Sequence, residues 1–247
     1  MPTDLKYKRI LLKLSGEQLG NRIETVNGET MHVGFDTKKA EWIATEVKKL
    51  TDIGVQVVIT VGGGNFLRGA DVSGDLIHHS VADSVGILMT NANAILLGEV
   101  FNRLHLPVRA TSKVSINEFI DDYSHRRTEH DIINKRRAVI IGGGSGATGF
   151  SSDMGAANAA SEHDCDVIIK ATKVDGVYNK DPKKYPDAVK FDRLDYETAT
   201  FTEDIKVLDK PSMAMAWEHS IPIVVCELKE DNILRVVKGE AIGTIIN

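Results

Sequence analysis

The sequence predicts an α/β domain with a mainly parallel central sheet sandwiched by helices. Three observations carry that expectation. VQVVITV, Val55 to Val61, is too apolar to be half exposed and suits a strand buried on both faces. Such β-branched runs alternate with segments of helical pattern along the chain. Three of the runs are followed by glycine-bearing loops, KLSG, VGGGNFLRG and IGGGSGATGFSSD.

Taken in order, Arg9 to Leu14 reads as the first strand. Asp36 and Thr37 can cap a helix running to about Asp52, with Gly54 as its stop. Val55 to Val61 is the next strand, Val81 to Leu104 a long helix, and Pro107 to Ala110 a short strand. Ile116 to Lys135 is expected to be mostly helical and is highly charged. Ala138 to Ile141 is another buried strand, and Ser152 to His163 is a helix rich in alanine. Val167 to Ala171, Ile223 to Cys226 and Thr244 to Ile246 complete the strands. Residues 173–210 break the rhythm with DG, DP and YP pairs, so loops and a small hairpin are expected there. No repeat or linker appears, which predicts one domain with two lobes.

Composition narrows the function classes. The 247 residues are 42% hydrophobic and 26% charged, ordinary values for a soluble globular chain. A net charge of −5 does not favour a generally basic, nucleic-acid-binding surface, though it leaves room for a local basic pocket. Cys165 and Cys226 lack C-x-x-C spacing and sit in or beside apolar runs, as small buried residues do. The opening MPTDLKYKRILLKL has no signal-like apolar stretch, and no run approaches about 18 continuous apolar residues. A cytoplasmic location without membrane or nucleic-acid partners is the expectation. His78-His79 and His125 with His130 lack convincing zinc spacing, so no metal ligand is assigned.

The glycine loops carry the chemistry. At strand C-ends of a parallel sheet they share one crevice. Their exposed N–H groups form anion nests, and a following helix N-terminus adds a positive dipole. Gly144-Ser145-Gly146-Ala147-Thr148-Gly149 matches the dinucleotide fingerprint G-x-G-x-x-G. That reading fails on context. The natural helix cap is Ser151 or Ser152, beyond the last glycine, and the acids Asp164 and Asp166 precede the next strand instead of ending it. G-x-x-x-x-G-K-[ST] is absent. Lys13, closing an apolar strand, is either a phosphate clamp or a snorkelling surface lysine. Arg68 can fork onto a phosphate or be a solvated loop residue. Asp153 can accept from Lys13 and fix it, or merely answer the helix dipole.

RILLKLSGE, VVITVGGGNFLRG, Asp83, Ser151-Ser152-Asp153 and DVIIKATKVDGVYNKDP together resemble the amino acid kinase superfamily, and within it the bacterial-type uridylate kinases. The resemblance spans nearly the whole chain, and Lys170 to Pro182 is its most specific stretch. It implies one domain over residues 1–247, with an acceptor lobe over roughly 1–165 and an ATP lobe over roughly 166–247. It implies transfer from ATP to UMP in pyrimidine nucleotide synthesis, with Mg²⁺ accompanying ATP. Lys13 and Asp153 would be catalytic, Lys13, Leu14, Ser15 and Gly16 would hold the phosphates of ATP, and Gly64 and Arg68 would touch ATP. Thr172, Tyr178 and Asp181 would line its nucleoside pocket. Gly63 would touch the UMP phosphate and Asp83 its ribose. Ser145, Gly146, Ala147, Thr148, Gly149, Phe150, Ser151 and Ser152 would wrap UMP. The family implies a homohexamer, GTP activation and UTP inhibition. Leu19 to Gly34 is where a GTP-linked element is expected.

One departure matters. Ala147, Thr148 and Gly149 stand where the family usually has Asn, Pro and Phe. That keeps open a same-fold kinase acting on another carboxylate, carbamate or phosphate acceptor. A nucleotide sensor with little catalysis is the alternative from a different class. The charged stretch Ser124 to Arg137, longer than the family norm, is read as solvating a helix rather than binding RNA.

Overall fold

The computed structural model describes residues 5–24, 30–182, 184–203, 205 and 207–247. The chain opens with β1 (Arg9–Leu14), the single turn α1 (Gly16–Leu19), and a hairpin of β2 (Asn21–Glu24) and β3 (Thr30–Val33). It continues through α2 (Thr37–Asp52), β4 (Gln56–Val61), α3 (Gly69–Val72), α4 (His79–Arg103), β5 (Val108–Ser112), β6 (Asp121–Asp122), α5 (His125–Asn134) and β7 (Ala138–Gly142). After α6 (Ser152–Glu162) and β8 (Val167–Thr172) comes a short antiparallel pair, β9 (Val177–Tyr178) and β10 (Lys190–Phe191). The remainder is β11 (Arg193–Leu194), α7 (Tyr196–Phe201), α8 (Lys210–Glu218), β12 (Ile223–Glu227), α9 (Asn232–Val237) and β13 (Thr244–Ile246).

The main sheet has nine strands in the order β11-β13-β12-β8-β1-β4-β7-β5-β6. All pairings are parallel except β12 with β13, so β13 and β11 run against the rest at one edge. β1 lies at the centre, flanked by β4 and β8. The chain first builds outward on the β4 side and later returns to the β8 side. That reversal opens a crevice at the C-terminal ends of these three strands, where ligands bind in such sheets.

Side-chain alternation assigns the two faces. Ile10, Leu12 and Leu14 point into a core closed by α2, α4 and α9. Leu11, Val58 and Ile168 point the other way, under α6 and α8. Ala156, Ala157, Ala159 and Ala160 of α6 are fully buried, and their small side chains let the helix lie close on the sheet. Each leucine or isoleucine fully buried here contributes roughly 1.5–3 kcal/mol. Helix α2 starts where Asp36 accepts from the amides of Lys38 and Lys39, and Gly54 follows its end at φ +89°. Both cysteines are buried; burial pushes the Cys226 thiol up to about 12 and that of Cys165 well up too, so they act as apolar residues.

Two expectations need correction. Ile116 to Lys135 is not mostly helical. Its first part turns back to pair β6 with β5, and the helix starts only after Ser124. Its charges are partly internal, because Asp131 is buried and binds Arg109 and Arg137. Residues 173–210 hold more than loops and the expected hairpin, since β11 joins the main sheet and α7 packs beside it. Helix α4 is long and apolar enough, by length and composition, to cross a membrane. Here it packs on the sheet through Ala94, Leu97 and Phe101.

Candidate active site

Strand register brings the central charges together. Lys13 and Lys170 are directly paired neighbours on β1 and β8. Alternation turns both toward α6, alongside Leu11 and Ile168. Asp153 sits in the first turn of that helix. Its Oδ1 lies 2.6 Å from Lys13 Nζ and its Oδ2 lies 3.2 Å from Lys170 Nζ, so one carboxylate bridges two lysines. Lys170 also donates to the Val207 carbonyl. All three side chains are largely buried. Burial alone would raise the Asp153 pKa, but the attraction of Lys13 and Lys170 holds it below the ordinary carboxylate range. The Lys170 pKa is lowered, first by burial and then by Lys13, because one carboxylate cannot answer two ammonium groups. Within this bridge two cations face one carboxylate in a low-dielectric site, with Asp209 farther off, an arrangement that favours an incoming phosphate.

The loops beside it are held from below by α4. Thr90 Oγ1 accepts from the Gly143 amide at 2.8 Å. Asn93 donates to the Gly62 carbonyl at 2.7 Å and to Asn65 Oδ1 at 2.6 Å. Asn65 in turn donates to the Gly34 carbonyl at 2.6 Å. Gly16 fits against this network so closely that a Cβ would stand 2.4 Å from Asn65 Oδ1 and 2.6 Å from the Gly64 nitrogen. Ser15 caps α1. Leu14 buries its side chain in the opposite core, so only its backbone can face a nucleotide. Arg68 is engaged by Glu17, which also binds Lys173 at 2.6 Å.

Two clefts lie beside this centre, one lined by Lys170 and the other by Ser15, Gly16 and Ser152, the chain neighbours of Lys13 and Asp153. A cleft of about 410 Å³ is lined by Gly16, Gly63, Arg68, Asp83, Phe150 and Ser152, with Ser15, Gly64 and Ser151. A larger one, about 830 Å³, is lined by Lys170, Thr172, Tyr178, Asp181, Tyr185 and Val207 among others. Within it the Tyr178 hydroxyl donates to Asp175 at 2.7 Å. The loop after β7 divides the expected acceptor residues. Phe150, Ser151 and Ser152 face the smaller cleft, whereas Ser145, Gly146, Ala147 and Thr148 do not line it. Gly149, at φ +82°, donates its amide to Asp83 at 2.8 Å. Ser151 caps α6, as its position predicts, and its hydroxyl donates to Asp209 at 2.5 Å. At the other end of the sheet Asp166 accepts from the amides of Lys8 and Arg9, a structural duty remote from any dinucleotide.

Four residues of this neighbourhood escaped the sequence reading: Lys170, Asp209, Thr90 and Asn93. Lys170 carried the same signal as Lys13, a lysine near the end of an apolar strand, VIIKAT beside LLKLSG. Thr90 and Asn93 were visible as polar residues inside an apolar helix. Asp209 gave no local signal, because it reaches the site only through α8.

Comparison with known proteins agrees with this architecture. The model of the amino acid kinase family matches residues 8–227. A uridylate kinase from Sulfurovum sp. (strain NBC37-1) is 42% identical over 235 residues, which is 94% of this chain and 96% of that one. The crystal structure of UMP kinase from Bacillus anthracis superposes with a TM-score of 0.89 at 31% identity, covering 98% of this chain and 96% of that one. The crystal structure of UMP kinase from Ureaplasma parvum gives 0.86 at 26% identity, covering 98% and 99%. The chain therefore belongs to the amino acid kinase family, on its uridylate kinase branch.

Proposed function

We propose that this chain transfers the γ-phosphoryl group of ATP to UMP, giving ADP and UDP. The observation that carries the reading is the buried Lys13–Asp153–Lys170 bridge, with Lys170 lining one cleft and the residues next to Lys13 and Asp153 lining another. UMP fits the smaller cleft, among Gly63, Asp83, Phe150, Ser151 and Ser152. The nucleoside of ATP fits the larger one, beside Thr172, Tyr178 and Asp181, with its phosphates reaching Lys13, Ser15, Gly16 and Gly64. The first cleft is built from residues before 165 and the second from residues after it, which supports an acceptor lobe and an ATP lobe sharing one sheet.

The acceptor is a phosphate monoester whose second pKa is about 6, so near neutral pH its oxygen is already nucleophilic. No general base is required, and Asp153 is committed to its lysines. Catalysis then rests on alignment and on charge neutralisation of a loose, in-line transfer. Lys13 bridges donor and acceptor phosphates, and Asp153 holds it in place. ATP would arrive as its Mg²⁺ complex, whose ion would neutralise charge on the donor phosphates. The expected setting is the cytoplasm and pyrimidine nucleotide synthesis.

Self-association as a hexamer is supported by exposed apolar residues on and beside α4, Leu76, Val81, Leu88 and Leu96. GTP activation and UTP inhibition are the regulation that the family resemblance implies. The loop expected to answer GTP, Leu19 to Gly34, is the β2–β3 hairpin, with residues 25–29 outside the described residues. The deciding experiment is ADP release with Mg-ATP against UMP, CMP, dUMP, GMP, aspartate, glutamate and carbamate. Strong preference for UMP is expected. Turnover of another acceptor with UMP inert would mean that Ala147, Thr148 and Gly149 have re-aimed the site. Tight ATP binding without turnover of any acceptor would favour a sensor.

A further inference from the structure

Helix α6 begins at the phosphoryl-transfer centre. Its 11 residues end about 16 Å away in a second polar cluster that the proposed activity does not use. His163, which closes the helix, is fully buried. Its Nδ1 lies 2.6 Å from Glu129 Oε1, and its Nε2 lies 3.0 Å from the Tyr123 hydroxyl. His125 stands one turn before Glu129 on α5, and its ring stacks on His163 at 5.1 Å between centroids. His125 Nε2 lies 2.9 Å from the Glu162 carbonyl oxygen. One ligand atom each from His125, Glu129 and His163 falls within 4.8 Å of the other two.

The acceptors fix where the hydrogens sit. A carbonyl oxygen can only accept, so His125 Nε2 donates and the neutral ring keeps its lone pair on Nδ1. The Tyr123 hydroxyl donates its one proton to Glu162 Oε2 at 2.7 Å and so accepts from His163 Nε2. Neutral His163 then also keeps its lone pair on Nδ1, facing the Glu129 carboxylate. At 2.6 Å the two atoms either share a proton or, moved somewhat apart, bind a cation in its place. Arg9 binds Glu129 at 3.2 Å from the β1 side and the His163 carbonyl at 2.6 Å, steadying the carboxylate without filling that gap. Lys113 is occupied by Glu162 at 2.5 Å.

We propose that His125 Nδ1, His163 Nδ1 and the Glu129 carboxylate bind one divalent transition-metal ion of the zinc class. Two imidazoles and a carboxylate suit zinc and disfavour Mg²⁺, which takes oxygen ligands. Zinc bonds of about 2.0–2.2 Å place ligands roughly 3.4 Å apart. The His125 ring now stacks parallel to that of His163, so binding requires this exposed residue in the first turn of α5 to rotate about its Nε2 contact with the Glu162 carbonyl and turn Nδ1 toward the ion. The outer groups are those of an organised site. The second nitrogen of each imidazole donates into Glu162, directly for His125 and through Tyr123 for His163. Bound metal would clamp α5 to the end of α6, a stabilising role remote from Asp153.

The test is zinc titration of the chelator-stripped full chain, by competition with a chromophoric chelator, with Co²⁺ absorption as a second probe. The wild-type chain is expected to bind one ion tightly, with tetrahedral cobalt bands. His125→Ala, an exposed change compatible with folding, should bind on the order of 100-fold more weakly, and Tyr123→Phe roughly tenfold more weakly. Zinc should raise the melting temperature of the wild type and leave that of His125→Ala unmoved. Metal-free kinase turnover should be the same in both. Equal zinc uptake by wild type and His125→Ala overturns the proposal. So does an NMR spectrum in which His163 Nδ1 keeps a proton in the presence of zinc, because a proton would then be the shared cation.

Discussion

The lysine bridge and the acceptor loop lie side by side and are built on opposite principles. Lys13 and Lys170 are strand residues, fixed by register, buried, and tied to a carboxylate on a packed helix. Residues 146–150 are exposed and turn through two glycines at positive φ, and the tether seen to α4 is one hydrogen bond to Asp83. The first region holds charge where a shift of an ångström would cost rate. The second has little packing to lose, so its sequence can drift while the fold stands. The departure from the family pattern expected from the sequence, at Ala147, Thr148 and Gly149, falls in the second region.

The sharpest way to break that comparison is to strike the buried side. Lys13→Ala should lower kcat by at least about 10³-fold, since it removes a preorganised cation from the transferring phosphoryl group. Circular dichroism should show the fold intact. Near-normal turnover would end the catalytic role of Lys13 and leave the bridge as a purely structural feature.

Asp153→Ala should add a cost in stability. It leaves two ammonium groups in a largely buried site with only the more distant Asp209 to answer them, an imbalance worth about 3–5 kcal/mol in comparable pairs. Acid titration distinguishes this from a simple packing loss. The folded-state pKa of Asp153 is depressed, so its contribution is complete above the ordinary carboxylate pKa of about 4 and is lost as pH falls through the lower folded value. Asp153→Asn should therefore lose stability more gently below about pH 4 than the wild type does. Parallel acid-unfolding curves for the two proteins would contradict that assignment.

How much of this was legible in the sequence follows from the same contrast. β1, α2 and β13 were found at their observed boundaries, because strand apolarity, the Asp36 cap and Gly54 are local signals. The failure of the dinucleotide reading was also local, since the cap at Ser151 lies past the glycines. Lys170 was missed although its environment repeats that of Lys13, because only register shows that the two are neighbours. Asp209, and the Arg68–Glu17–Lys173 chain, join segments far apart in sequence, and no local pattern announces them. The stretch from Ile116 to Ile120 misled because its composition suits a helix, while pairing with the edge strand decides its course.

On the exposed side the effects should be smaller and fall on binding. Asp83 accepts from the Gly149 amide here, and the same carboxylate is assigned to the UMP ribose. Asp83→Ala removes a hydrogen bond to a charged group, worth about 1.5–3 kcal/mol, or roughly 10–100-fold in kcat/KM. Most of that loss should appear in KM for UMP, with KM for ATP little changed. A loss confined to kcat would instead make Asp83 part of the transfer machinery.

The smallest expected effect lies between the two regions. Glu17 holds both Arg68 and Lys173, two cations beside the proposed phosphate path. The Lys173 pKa is lowered, first by burial and then by Arg68, so without Glu17 the two cations face each other unshielded. A phosphate arriving there must displace Glu17 or share it. Exposed ion pairs of this kind are worth about 0.2–1 kcal/mol, so Glu17→Gln should lower KM for ATP by roughly 1.4–5-fold and leave kcat nearly unchanged. Added salt should shrink the difference, because the competing pairs are solvent-screened. If Glu17→Gln instead raises KM for ATP more than about tenfold at every salt concentration, the carboxylate is placing Arg68 rather than competing for it. The boundary between fixed centre and adjustable rim would then have to be moved outward to include α1.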